Sequence, residues 1–140
     1  MRIINSLINL SLAAMLAGCN GYPPPLNRAA LNQTQWRATS PYDAHQYVQF
    51  NLRQVNQNLA LYGQGGCHRF AGMMRVEGNR ISLDTPLMKR NIQGCQVGRE
   101  MMINHYIDVI QQGLIFDAGA FYSSDGSVVF HQQMPTAKNN

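Results

Sequence analysis

The chain has 140 residues, with 11 Lys and Arg against 7 Asp and Glu, and hydrophobic residues make up 45% of it. That length fits one domain and leaves little room for a second. The positive excess is mild and contains no run of like charge, which argues against a dedicated nucleic-acid groove, since that needs clustered Lys and Arg.

In chain order, Arg2 supplies a positive start and Ile3 to Leu16 an apolar stretch interrupted by Asn5, Ser6, Asn9 and Ser11. The stretch is too short and too broken for a stable membrane span and reads as a cleavable leader. Its end, Leu16-Ala17-Gly18-Cys19, resembles the lipobox of bacterial lipoproteins. The resemblance implies that residues 1–18 are removed and that the Cys19 sulfur carries lipid. The alternative is an ordinary cleaved signal with Cys19 as a structural thiol. Two or more acyl chains on Cys19 would hold the protein on a membrane almost permanently, whereas one chain binds only marginally. Asn20 stands where inner-membrane lipoproteins often carry Asp, so the resemblance implies the outer membrane, with the polypeptide facing the periplasm. The mature chain would keep ten basic and seven acidic residues, because Arg2 leaves with the leader.

Once Cys19 is assigned to lipid, Cys67 and Cys95 remain. In an oxidising periplasm such a pair usually closes into a disulfide. A bridge of that span would stabilise the fold by roughly 3 kcal/mol. The alternative is two buried or reduced thiols.

Residues 19–33 read as the acylated cysteine and a tether, stiffened by Pro23-Pro24-Pro25, which lifts the folded part off the bilayer. Residues 34–132 read as the folded domain and 133–140 as a flexible tail. Strands are expected over 35–39, over 48–52 (Val48, Phe50 and Leu52 alternating with polar residues), and from Leu59 to Tyr62. Gly63, Gly65 and Gly66 suggest a bulge or sharp bend. His68 to Val76 and Arg80 to Leu83 flank a hairpin turn at Glu77-Gly78-Asn79. Residues 84–97 read as an irregular crossing. A helix over about 98–112 follows, with Ile103, Tyr106, Ile107 and Ile110 on one face and Gly113 as its stop. Residues 114–116, 120–122 and 128–130 complete the strands. The fold class is therefore α+β: about eight short antiparallel strands forming a curved, partly barrel-like sheet with one packed helix. Trp36, Phe70, Phe130 and the helix stripe are the expected core.

Gly66-Cys67-His68-Arg69-Phe70-Ala71-Gly72 resembles the G-C-N-R-F-x-G signature of META/HslJ-like domains, a family of small bacterial envelope proteins. Other features follow in order: Trp36 on the opening strand, the hairpin through Asn79, Cys95 before a helix, and a terminal hairpin at Asp125-Gly126-Ser127-Val128-Val129-Phe130. The likeness covers roughly residues 34–131. His68 replaces the family's usual Asn, and Met88 to Cys95 replaces a shorter segment. The resemblance implies an eight-stranded, partly barrel-like sheet with a packed helix, and a link to heat or envelope stress, secretion or virulence. It implies no catalytic mechanism.

The residues themselves suggest little chemistry. Cys67, His68, Cys95, His105 and the Met73-Met74 and Met101-Met102 pairs are soft ligand types suited to copper or zinc, but no C-x-x-C or H-x-x-x-H occurs. No serine lies in G-x-S-x-G, and each carboxylate has an ordinary structural explanation. The expectation is therefore a non-enzymatic protein without catalytic residues, metal or cofactor. Its possible binding surface comprises Arg69, Arg75 and Arg80, with Lys89 and Arg90 nearby, and His105 with Asp108 at i, i+3 on the outer helix face. Expected partners are the membrane, through lipid on Cys19, and an envelope protein, peptidoglycan or lipopolysaccharide; nucleic acid is not expected. One alternative is an inhibitor of a hydrolase such as lysozyme or a protease, acting through loops near Asn79 or Ser124. Another is a periplasmic metal-binding protein using Met, His and Cys.

Overall fold

The computed structural model describes residues 24–92 and 100–135. The leader, Cys19, Cys95 and residues 136–140 lie outside the described residues. Nine strands form one antiparallel sheet: β1 (Thr34–Thr39), β2 (Tyr47–Val55), β3 (Asn58–Gly65), β4 (His68–Glu77), β5 (Arg80–Leu83), β6 (Met88–Asn91), β7 (Leu114–Asp117), β8 (Ala120–Tyr122) and β9 (Val129–Gln133). The order is β3-β2-β1-β9-β8-β7-β5-β4-β6, and β3 also pairs with β4. That extra pairing closes eight strands into a barrel and leaves β6 outside the ring. The fold is thus mostly β, a closed barrel rather than a partial one, with a helix packed on it.

The strand pattern follows the sequence. In β2, Val48, Phe50 and Leu52 are fully buried while Asn51 and Arg53 are exposed, the alternation that a half-buried strand requires. At Glu77-Gly78-Asn79 the turn needs a left-handed residue, and Gly78 supplies it at φ 59°. Inside the barrel, the Trp36 and Phe121 ring centroids lie 4.6 Å apart at 75°, and Phe50 meets Phe130 at 5.1 Å. The first pair is edge-to-face, an arrangement that adds stabilisation beyond its buried area. Adjacent Met73 and Met74 divide as a strand dictates, with Met74 fully buried and Met73 half-buried.

The helix α2 (Glu100–Gln112) buries Ile103, Tyr106, Ile107, Val109 and Ile110. It touches β2 and β5, which lie three places apart around the ring, so it spans the barrel core rather than following one strand. Gly65 makes room for it, because a Cβ there would lie 2.7 Å from Val48 Cγ2 and 3.0 Å from Ile103 Cγ2. The barrel is thinnest at β5–β7, where only Arg80↔Ile115 and Ile81↔Leu114 are in register.

Four features differ from the sequence expectation. A short helix, α1 (Arg28–Leu31), lies within the expected tether; Asn27 Oδ1 accepts from Ala29 N at 3.0 Å, and Leu31 is buried in the core. Four residues are too few to show a helical period. Leu26 N also donates to Gly78 O at 2.8 Å, so the folded part begins before residue 34. β6 occupies part of the expected irregular crossing; all four of its residues are exposed, so it carries no apolar alternation, and pairing with β4 alone defines it. Gly63 and Gly65 sit within β3 in regular register and form no bulge; of the two expected alternatives the sharp bend holds, at Gly66, whose φ of 52° begins the two-residue turn into β4. Finally, β9 runs to Gln133, one residue into the expected tail.

Candidate functional site

The expected surface residues do not gather into one patch. Arg75 and Arg69 lie six residues apart on β4, roughly 20 Å at strand rise. Arg75 Nε lies 3.1 Å from Asp84 Oδ1, and its Nη1 lies 3.9 Å from Glu77 Oε1, so local carboxylates compensate its charge. Arg80 Nη2 donates to Gln112 O at 2.8 Å, satisfying an end carbonyl of α2. His105 and Asp108 are exposed on α2, and among the described residues no ion pair joins them. Arg69 stands apart from these. It is exposed and directly opposite Arg90 on β6.

Strand register builds around Arg69 something that no short motif contains. His131, Arg37, Gln49, Gln64, Arg69 and Arg90 are successive cross-strand partners across β9, β1, β2, β3, β4 and β6. Gln133, Gln35, Asn51, Tyr62, Ala71 and Met88 form a second row, two residues along each strand. Both rows alternate with the buried core positions and therefore face outward. Neither row contains a carboxylate, although the chain has 7 acidic residues.

Two side chains of the first row, Arg37 and Gln49, hold each other in place. Arg37 Nη2 and Nε both donate to Gln49 Oε1, at 2.8 and 3.2 Å, and the guanidinium carbon lies 4.1 Å from the centre of the Tyr47 ring. Tyr62 is 55% exposed and Met88 71% exposed, large apolar groups that a lone domain seldom leaves together at one spot. Three adjoining hollows share Tyr62. One of about 150 Å³ is lined by Gln49, Asn51, Gln64 and Arg69. A second of about 280 Å³ is lined by Arg69, Phe70, Met88 and Arg90. The third, of about 190 Å³, reaches Met73 and Pro86. Gly63 forms part of the floor, and a Cβ there would collide with the Phe70 ring beneath it.

A cleft of about 400 Å³ lies where α2 meets β1 and β9, lined by Arg37, Tyr106, Ser127 and His131 among others. Burial pushes the Tyr106 phenol above its ordinary value and favours its neutral, hydrogen-bond-donating form. Beside it, the β8–β9 turn is braced by Asp125, whose Oδ1 accepts from Ser123 Oγ at 2.6 Å, Ser127 N at 3.0 Å and Ser127 Oγ at 2.7 Å. The Ser123 hydroxyl and then the Ser127 amide and hydroxyl hold the Asp125 carboxyl far below the usual carboxylate range.

Cys67 is disulfide-bonded, and its expected partner Cys95 lies outside the described residues. The neighbouring His68 stands out in the sequence as a departure from the family signature and as a soft metal-ligand type. Both of its ring nitrogens are buried, and they have no hydrogen-bond partner among the described residues. Its place two residues before buried Phe70 on β4 is the signal that it turns inward. Among the described residues, no three His, Cys, Asp or Glu side chains converge as a metal site would need. No helix among them is long and apolar enough to cross a membrane.

No family model matches the chain, and no curated protein matches it. Its fold is similar to that of an NMR structure of a protein from Burkholderia xenovorans, with a TM-score of 0.53 and 18% sequence identity, over 80% of this chain and 92% of that one. At that identity the likeness is one of fold: both are small barrel-like domains.

Proposed function

We propose that this chain is a non-enzymatic, lipid-anchored envelope protein of the META/HslJ-like type, whose outward sheet face binds an anionic component of the periplasm or outer membrane. The observation carrying this reading is the pair of in-register rows, rich in arginine and carboxamide and free of carboxylate. Such a face attracts anions at long range and bonds them at short range. The ordered motif from Gly66 to Gly72 and the barrel support the family assignment. The Leu16-Ala17-Gly18-Cys19 segment supports the anchor, and the Cys67 disulfide fits an oxidising compartment.

Two measurements test the reading. Intact-mass analysis of the purified product is expected to show a chain beginning at Cys19 with acyl groups attached. Salt-sensitive binding to isolated envelopes is expected for the wild type and lost for Arg69→Glu/Arg90→Glu. An unmodified Cys19, or binding indifferent to charge reversal, overturns it. A second reading, hydrolase inhibition, draws on the exposed but braced turn from Ser124 to Ser127, a preformed loop that could enter an enzyme cleft. It requires stoichiometric inhibition of a purified lysozyme or protease that Asp125→Ala abolishes.

A further inference from the structure

Resting on the reading of the outward face as an anion-binding surface, we infer that the hollow around Tyr62 is a subsite for a carboxylate-bearing glycan. Arg69 and Arg90 are direct cross-strand partners, which places their Cβ atoms about 5 Å apart. Like charges in that position repel and destabilise the sheet. Neither row offers a carboxylate to offset them, in contrast to Arg75, which has two. A ligand carboxylate lying between the two guanidiniums would relieve the repulsion and receive charge-assisted hydrogen bonds.

The surroundings specify more than an anion. Tyr62 is diagonal to Arg69 across the β3–β4 pair, and its exposed ring offers a flat apolar face beside the charge. Gln49, Asn51 and Gln64 line the adjoining hollow, and Tyr62 and Arg69 border both. Carboxamides both donate and accept, matching hydroxyls that do the same. A ring-stacking face, a hydroxyl-matching set of amides and a paired cation together suit an acidic pyranose. A bare phosphate would use only the arginines. An acidic peptide would leave the amide side without its hydroxyl partners.

The test is calorimetric titration of the purified full-length protein in detergent micelles with four probes: hexagalacturonate, neutral cellohexaose, polyphosphate and polyglutamate. Hexagalacturonate is expected to bind, with cellohexaose silent. Arg69→Gln/Arg90→Gln and Tyr62→Ala should each weaken hexagalacturonate at least about tenfold, the loss of roughly one good contact. Gln111→Ala, at an exposed position of α2, should leave binding unchanged, and circular dichroism of each variant confirms that the barrel persists. Polyphosphate or polyglutamate binding as tightly as hexagalacturonate, with Tyr62→Ala neutral, overturns the glycan assignment and leaves the anionic face standing. Silence from all three anions overturns both.

Discussion

Replacing Gly63 with alanine adds one methyl group inside a barrel that has no space for it. Gly63 pairs with Phe70 across β3 and β4, and the Phe70 ring fills the volume that a side chain at residue 63 would take. Phe70 is 3% exposed, so the ring cannot swing into solvent without opening the core. Overpacking of this kind costs about 1–3 kcal/mol. Alanine recovers about 0.5–1 kcal/mol, because glycine loses more backbone freedom on folding. A net loss of about 1 kcal/mol is expected, or a fall in Tm on the order of 5 °C for a domain this size. Urea denaturation followed by the fluorescence of Trp36, the single tryptophan and 1% exposed, measures it. The decisive control is a double-mutant cycle with Phe70→Leu, which removes the ring atoms above residue 63. In that background the alanine should cost under about 0.5 kcal/mol, within the scatter of independent sites. An equal cost in both backgrounds, or no cost in either, would refute the packing account.

Four further outcomes follow from named contacts. Cys67→Ser should lower stability by about 3–4 kcal/mol if the bridge reaches Cys95, and peptide mapping without reductant should recover the linked 67–95 fragment. Asp125 is ionised more readily in the folded chain than in the unfolded one, so the folded state binds fewer protons and stability falls as pH drops below about 4. Asp125→Asn should therefore be less stable than wild type at pH 7, with the gap closing on acidification; a gap independent of pH would contradict the turn geometry. Arg80→Met, which removes the bond to Gln112 O, should cost about 1 kcal/mol. Arg75→Met should cost under about 0.5 kcal/mol in the same urea assay, since its ion pairs are solvent-exposed.

Local rules explain most of the elements. Alternation placed β2, glycine in the Glu77–Asn79 turn placed the hairpin, and the i, i+3, i+4 stripe placed α2. Two elements escaped for physical reasons. α1 is a single turn held by its Asn27 cap and Leu31, and β6 has no buried residue to reveal a period. The candidate site was only partly legible. Arg69 and Arg90 could be picked out as basic, but so could Arg75 and Arg80, whose carboxylate and helix-end partners lie elsewhere in the chain for all but Glu77. Tyr62, Gln49 and Gln64 drew no notice, because an isolated tyrosine or glutamine on a strand is unremarkable.

By itself the amino-acid order determined which segments extend or coil, which side of each faces inward, and where acylation and disulfide chemistry were to be expected. Those properties depend on neighbours a few positions away, and period, turn chemistry and residue type report them directly. Only the tertiary structure decided that eight strands close into a ring and that His131, Arg37, Gln49, Gln64, Arg69 and Arg90 fall in one cross-strand row. Register between strands is a relation among distant residues, and a slip of one position would turn every one of those side chains to the opposite face.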